Sequence, residues 1–158
     1  MEEKKKNNNL FLWEQVETTD PEFTTKVNQR GGFTAIGAQY QIKNATEVFG
    51  SFGHGFGVID EKYTPILNDT LIVYTATFYY KYKDEAGDVK GDFPISSSIK
   101  VMMGSKLDDD CIKKVQTDAI TKGLSRLGFN ADVFMGRFDG NKYVDATGGA
   151  PTSKDSKE

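Results

Sequence analysis

Residues 71–83 read Leu-Ile-Val-Tyr-Thr-Ala-Thr-Phe-Tyr-Tyr-Lys-Tyr-Lys, a run rich in β-branched and aromatic side chains. This composition predicts a β-strand. Because side chains alternate between the two sides of a strand, every second residue belongs to the same face. One face takes Val73, Thr75, Thr77, Tyr79 and Lys81, and the other takes Tyr74, Ala76, Phe78, Tyr80 and Tyr82.

The segments around this strand predict a sheet built from hairpins. The polar stretch 84–88 is a turn signal, and residues 93–103 are expected to return as the neighbouring strand. A tight turn between two strands makes them antiparallel. Residues 55–62 form a further candidate strand.

Two longer segments carry the apolar periodicity of helices. In residues 35–49 apolar side chains recur at spacings of three and four, and Gly50 follows them. Residues 107–127 show the same pattern and end at Gly128. The aspartates 108–110 are expected in the first turn of this second helix, where negative charge suits the helix dipole.

These elements predict an α+β fold in which helices pack on one face of an antiparallel sheet. An aspartate before a proline at residues 20–21 also predicts a short helix through about Val27. The charged, Asn-rich segment 1–9 and the segment 145–158, which lacks large apolar residues, are expected to be disordered tails. Residues 10–144 are then a single domain.

Composition limits the possible functions of the chain. It has 158 residues, a net charge of −3 and a pI of about 5.3, so any nucleic-acid site must be a local basic patch on an acidic body. Cys111 and His54 are the only residues of their types, which excludes an intrachain disulfide and makes a zinc site implausible. With no long apolar run and no secretory signal, we expect a cytoplasmic protein without membrane contact.

The second long helix carries a row of charged residues at four-residue spacing. Lys114, Asp118, Lys122 and Arg126 share this row, and Lys113 lies elsewhere on the helix. Such a row can follow a phosphate backbone. The same spacing fits a solvated helix face with ordinary ion pairs, so both interpretations stay open.

Other candidate sites are weaker. Arg30 precedes a glycine pair whose amides could approach an anion, although a plain turn explains the pair equally well. Tyr79 is the aromatic residue of the strand best suited to stack a base, whereas the opposite aromatic face is expected to be core. Successive helical residues point about 100° apart, so the three aspartates cannot converge on one metal ion. No catalytic site, metal or cofactor is predicted.

Two segments resemble a known superfamily. Ala45-Thr46-Glu47-Val48-Phe49-Gly50 resembles the end of a helix in the Rad-fifty-two-like single-strand annealing proteins. Residues 113–128 resemble that superfamily's Thr-Asp-x-x-x-(Lys/Arg)-x-Leu-x-x-(Phe/Leu)-Gly helix. Over residues 10–144 the chain is most similar to the Sak-type annealing proteins of bacteriophages.

The resemblance implies a β-β-β-α core and oligomers that form rings or helical filaments. Single-stranded DNA would lie in a groove around the ring, with its bases outward. It also implies DNA recombination and repair in a phage, beside an exonuclease and a single-strand-binding protein, in the host cytoplasm. Lys122 matches a basic position of the family's helix, and Lys113 and Lys114 lie in its basic lead-in. Ile112 and Asp110 replace neighbouring basic residues.

We therefore expect ATP-independent binding and annealing of single-stranded DNA, by a protein that is not an enzyme. The leading alternative is a passive single-stranded-DNA-binding protein with a small β-barrel; a metal-dependent nuclease and a structural virion protein are others. The expected DNA-binding residues are Arg30, Lys43, Tyr79, Lys100, Lys113, Lys114, Lys122 and Arg126.

Overall fold

A computed structural model describes residues 8–28 and 32–138 of the chain. Antiparallel sheets combined with several helices make the fold α+β, as predicted. The helices are α1 (Phe11–Val16), α2 (Ala38–Phe49), α3 (Cys111–Arg126) and α4 (Ala131–Phe134). The strands are β1 (Thr24–Val27), β2 (Phe33–Ile36), β3 (Phe56–Ile66), β4 (Leu71–Asp84), β5 (Gly87–Lys100), β6 (Met102–Met103) and β7 (Lys106–Leu107).

The described residues fall into two compact units. One unit runs from Ala38 to Leu127, and the other combines the chain up to Gly37 with the chain from Gly128. Residues 1–7 of the predicted N-terminal tail and all of the predicted C-terminal tail, 145–158, lie outside the described residues, as do residues 139–144 at the end of the predicted domain. Asn8–Leu10 form a single 3₁₀ turn.

The larger unit is built on an antiparallel sheet in the order β3-β4-β5. The predicted central strand, its two faces and the preceding strand are confirmed. The returning strand begins at Gly87 rather than Phe93, because Asp84 already pairs with Gly87 across a two-residue turn. It ends at Lys100, since Met102 and Met103 belong to the separate β6–β7 pair.

Two helices cover the same face of this sheet. Tyr74 and Phe78 of β4 are fully buried, and Gly123 of α3 lies so close to Phe78 that an added Cβ would approach its ring to 3.3 Å. Phe49 at the end of α2 contacts the rings of Phe56 and Tyr80. The aromatic face of β4 is therefore the core, as its alternation predicted.

A β-bulge in β3 brings a carboxylate to the covered face. The register with β4 shifts between Ile59 and Lys62, and Glu61 lies within that shift. Glu61 Oε1 accepts hydrogen bonds from the Tyr74 hydroxyl at 2.7 Å and from the Gln116 amide at 2.5 Å. Burial, followed by this bond to Glu61, raises the pKa of Tyr74. Glu61 thus connects β3 and β4 to α3.

Both long helices begin later than predicted. Residue 35 belongs to β2, where it pairs with Thr25, so α2 starts at Ala38. Residue 107 belongs to β7, and α3 starts at Cys111, which leaves all three aspartates before the first turn. Among them Asp108 is buried and accepts bonds from the amide of Asp110 and from Lys114 Nζ. The prediction of first-turn aspartates was therefore wrong.

In the smaller unit the predicted short helix is one 3₁₀ turn, Pro21–Phe23, capped by the Asp20 carboxylate. The following residues, Thr-Thr-Lys-Val, are mostly β-branched and pair as β1 with β2, so no helix continues to Val27.

A buried polar network holds the N-terminal segment of the smaller unit to its C-terminal segment. The Asp132 carboxylate accepts bonds from Thr19 N at 2.8 Å and from Thr19 Oγ1 at 2.5 Å. Asn130 Nδ2 donates to the same hydroxyl at 2.8 Å. Because all three residues are buried, each bond replaces one that water would otherwise make.

Candidate nucleic-acid interface

The sheet face opposite α2 and α3 is largely exposed and is called the open face here. On β4 it consists of the predicted set Val73, Thr75, Thr77, Tyr79 and Lys81, all partly or fully exposed. Strand β5 places serines opposite two of these residues, with Ser96 opposite Thr75 and Ser98 opposite Val73. Strand β3 adds Ile59, Lys62 and Thr64. The open face is therefore rich in hydroxyl groups.

Tyr79 is fixed on the open face by a glycine on the neighbouring strand. It pairs with Gly57, and an added Cβ at Gly57 would lie 2.8 Å from the Tyr79 hydroxyl oxygen. The phenol ring therefore crosses the backbone of β3 where no side chain stands in its way. Since Tyr79 remains partly exposed, its ring is available to a planar ligand.

Two lysines stand beside Tyr79. Lys81 of β4 lies directly opposite Lys90 of β5, and both line a cleft of about 380 Å³ that Tyr79 also lines. Both also line a second cleft, of about 630 Å³, on the side of α2. Among the described residues no carboxylate forms an ion pair with either lysine. Asp92 also lines the smaller cleft and reduces its positive charge.

The chain's one histidine completes this group. His54 Nε2 lies 3.3 Å from Lys81 Nζ. The turn that carries it is held by bonds from the amides of His54 and Gly55 to Ser51 O, and by Lys81 N donating to Gly55 O at 2.9 Å. Gly55 must be a glycine, because a Cβ would lie 1.8 Å from Phe49 O. We call Lys81, Lys90 and His54 the hairpin cluster.

The lysines of α3, which the sequence identified as candidates, are all ion-paired. Nζ–Oδ distances are 3.7 Å for Lys113 with Asp110 and 2.9 Å for Lys114 with Asp108. The bond from Lys114 holds the pKa of Asp108 below its usual range, and the same bond raises the pKa of Lys114. The structure thus adds support for the solvated-face interpretation of these two lysines.

The other two cations of the row, Lys122 and Arg126, differ in whether they form an ion pair. Lys122 Nζ lies 2.7 Å from Asp118 Oδ2, and Asp118 also accepts a hydrogen bond from Ser97 of β5. Arg126, in the last turn of α3, is exposed and forms no ion pair with a described carboxylate. Arg126 is therefore the α3 cation most open to an external anion.

The other candidates do not gather at one place. Lys43 is exposed on α2. Lys100 is exposed and pairs with Leu71, about 30 Å along the strands from the Lys81–Lys90 pair. Arg30 lies outside the described residues. Of the residues predicted from sequence, only Tyr79 lies beside the hairpin cluster, in the same cleft.

Sequence reasoning missed Lys81, Lys90 and His54 as a group. Alternation placed Lys81 on the open face beside Tyr79, but its partner depends on the exact length of the turn. With the turn confined to two residues, Lys90 is brought opposite Lys81. His54 lies far from both in sequence, so no spacing rule links it to them.

Within the described residues, no three His, Cys, Asp or Glu side chains are grouped so that they could hold a metal ion. No described helix has the length and apolar character to cross a bilayer. A scan of protein-family models and a search of curated proteins found no match to this chain.

Proposed function

We propose that this protein binds single-stranded DNA and anneals complementary strands without ATP. The observation that carries the proposal is the open face, which combines hydroxyl groups, one positioned tyrosine and lysines that no described carboxylate pairs with. Such groups bind sugar, phosphate and base faces without reading base edges. An annealing protein needs this property, because it must accept any sequence and leave the pairing edges free.

We also propose that identical subunits assemble into a ring or filament. Within the described residues β3 and β5 pair with no strand other than β4, and apart from one isolated bridge between Phe52 and Phe56 each has one edge open to further pairing. Free strand edges are templates for pairing with another chain. A contact between two different edges is head-to-tail and builds rings or open helices. Repetition would then join weak individual sites into one strong binding surface.

The biological setting rests on the resemblance of residues 45–50 and 113–128 to the Rad-fifty-two-like annealing helices. On that basis the protein acts in phage recombination and repair, in the host cytoplasm. Its partners there are single-stranded DNA, further copies of itself, an exonuclease that exposes single strands and a single-strand-binding protein.

The test is an annealing assay with two complementary oligonucleotides, one carrying a fluorophore and the other a quencher, without nucleotide or metal. The proposal expects pairing to be faster with protein than without it, and a non-complementary strand to give no quenching. A passive binder would coat both strands and slow pairing, which would contradict the annealing proposal. Electron microscopy with and without DNA tests the assembly: particles that remain monomeric with DNA would contradict the ring or filament.

A further inference from the structure

We propose that the hairpin cluster binds one backbone phosphate of single-stranded nucleic acid, while Tyr79 stacks on an adjacent base. This inference rests on the proposed function and deepens it by naming the contact. Its starting point is the Lys81–Lys90 pair, in which two positive charges face each other across an antiparallel ladder. Like charges at such positions are destabilising. An anion held between them would convert this repulsion into attraction.

The cluster is positioned before any ligand arrives. Lys81 is tied to the His54 turn twice, by its amide to Gly55 O and by its Nζ to the imidazole. The turn itself cannot easily shift, because Gly55 packs directly against the backbone of Phe49. A site whose donors are already placed loses less conformational freedom on binding.

Charge balance favours a phosphodiester over a more highly charged anion. Asp92 lines the same cleft, and Asp88 pairs with Lys83 one step further along the hairpin at 3.9 Å. Because Asp88 is paired with Lys83, it is Asp92 that offsets part of the charge of Lys81 and Lys90 and leaves the cluster only weakly positive. A phosphodiester carries a single negative charge, whereas free inorganic phosphate, a terminal phosphate and a nucleoside triphosphate carry more and would be repelled more strongly by Asp92.

The tyrosine specifies a nucleotide rather than a bare anion. Tyr79 and Lys81 are two residues apart on one face, a distance of about 6.8 Å along the strand. That distance is of the same order as the separation between a base and its own phosphate. Because the phenol lies across Gly57 with its ring partly exposed, a splayed base can stack on it. Stacking on an aromatic ring tolerates every base.

His54 gives a direct test on the wild-type chain, because it is the only histidine. Its imidazole ¹H–¹³C signal therefore needs no assignment. On addition of an oligothymidylate the signal should shift. Neither inorganic phosphate nor ATP at matched ionic strength should shift it comparably. A signal that stays in place while fluorescence anisotropy shows the oligonucleotide bound would overturn the inference.

Lysine variants provide the second test of the inference. Lys81→Gln combined with Lys90→Gln should weaken oligothymidylate binding several-fold at low salt. The slope of log K against log salt should fall by roughly 0.7, the value for one phosphate contact on a single strand. The matched control is Lys26→Gln with Lys106→Gln, which removes the same charge from exposed lysines on β1 and β7 and should change neither quantity. Urea midpoints would show whether both variants are folded.

The stacking contact is tested by Tyr79→Phe, which keeps the ring, and Tyr79→Ala, which removes it. Only the alanine variant should lose affinity, and equal loss in both would contradict stacking. If the lysine variant binds like wild type while wild type anneals, the inference fails and the proposed function stands. If wild type binds through the cluster yet does not speed pairing, the annealing function fails and the phosphate site stands.

Discussion

Glu61→Ala removes the only carboxylate that the Tyr74 hydroxyl is seen to contact in the described part of the chain. Tyr74 is fully buried, so its hydroxyl would lose the acceptor of its proton, and only the side chain of Gln116 would remain as a hydrogen-bond partner. An unpaired buried hydroxyl costs roughly 1–3 kcal/mol. We therefore expect Glu61→Ala to lower the free energy of unfolding by about 2 kcal/mol.

The partner substitution Tyr74→Phe removes the hydroxyl instead of stranding it. It loses one hydrogen bond and leaves the exposed Glu61 paired with Gln116, so we expect a cost of about 1 kcal/mol. The double variant has no stranded group and should also cost about 1 kcal/mol rather than the additive 3 kcal/mol. The coupling energy of the cycle is then about 2 kcal/mol.

The assay is urea unfolding followed by far-UV circular dichroism. This signal reports on the backbone of the unit that holds the contact, whereas the single tryptophan, Trp13, belongs to the other unit. Gln116→Ala serves as the control, because it removes a partner of Glu61 without stranding a buried group, and it should cost less than 1 kcal/mol, a rough value for one partly exposed bond. If the double variant costs as much as the two single variants together, Glu61 and Tyr74 are not coupled and the reasoning is wrong.

Two further predictions concern the other polar contacts. Lys114 lowers the pKa of Asp108, so this carboxylate stabilises the folded state at pH values above its ordinary pKa of about 4. The stabilisation is lost as the pH falls through the lowered pKa. The difference in urea midpoint between wild type and Asp108→Asn should therefore shrink steadily in acid, and a constant difference would count against the ion pair. Asp132→Ala leaves the amide and hydroxyl of buried Thr19 without their acceptor and should lower the free energy of unfolding by about 3 kcal/mol, measured by thermal or urea unfolding. Thr19→Val removes the hydroxyl itself and should lower it by less. The reverse order would contradict the network.

Local patterns in the sequence were enough to predict the central sheet. In β4 the alternation of side chains identified Tyr74 and Phe78 as core and Tyr79 as exposed, because strand alternation does not depend on distant residues. The end of α3 before Gly128 was also predicted, since a glycine there, with φ of +101°, commonly ends a helix.

Boundaries failed where a long-range pairing competes with helical spacing. Ala35 and Leu107 both extend the apolar periodicity of the following helix by one turn, yet both lie in short antiparallel pairs. Periodicity records which residues could share a face, not which backbone groups find a partner strand. The hairpin cluster was missed for the same reason, because the Lys81–Lys90 pair and the His54 contact are both set by tertiary pairing.

The lysines of α3 and the lysines of the hairpin cluster differ in which contacts a phosphate must displace. To bind at Lys122 it competes with Asp118, and because an exposed ion pair contributes at most about 1 kcal/mol, this competition alone is weak. The aspartate remains close by after the pair opens, however, and repels the incoming phosphate. At Lys81 and Lys90 no ion pair with a described carboxylate has to open. Asp92 lines the same cleft and weakens the attraction, but binding also relieves the repulsion between the two lysines. Affinity for a polyanion should therefore depend more on the hairpin cluster than on the lysines of α3, with Arg126 as the helix residue best able to add to it.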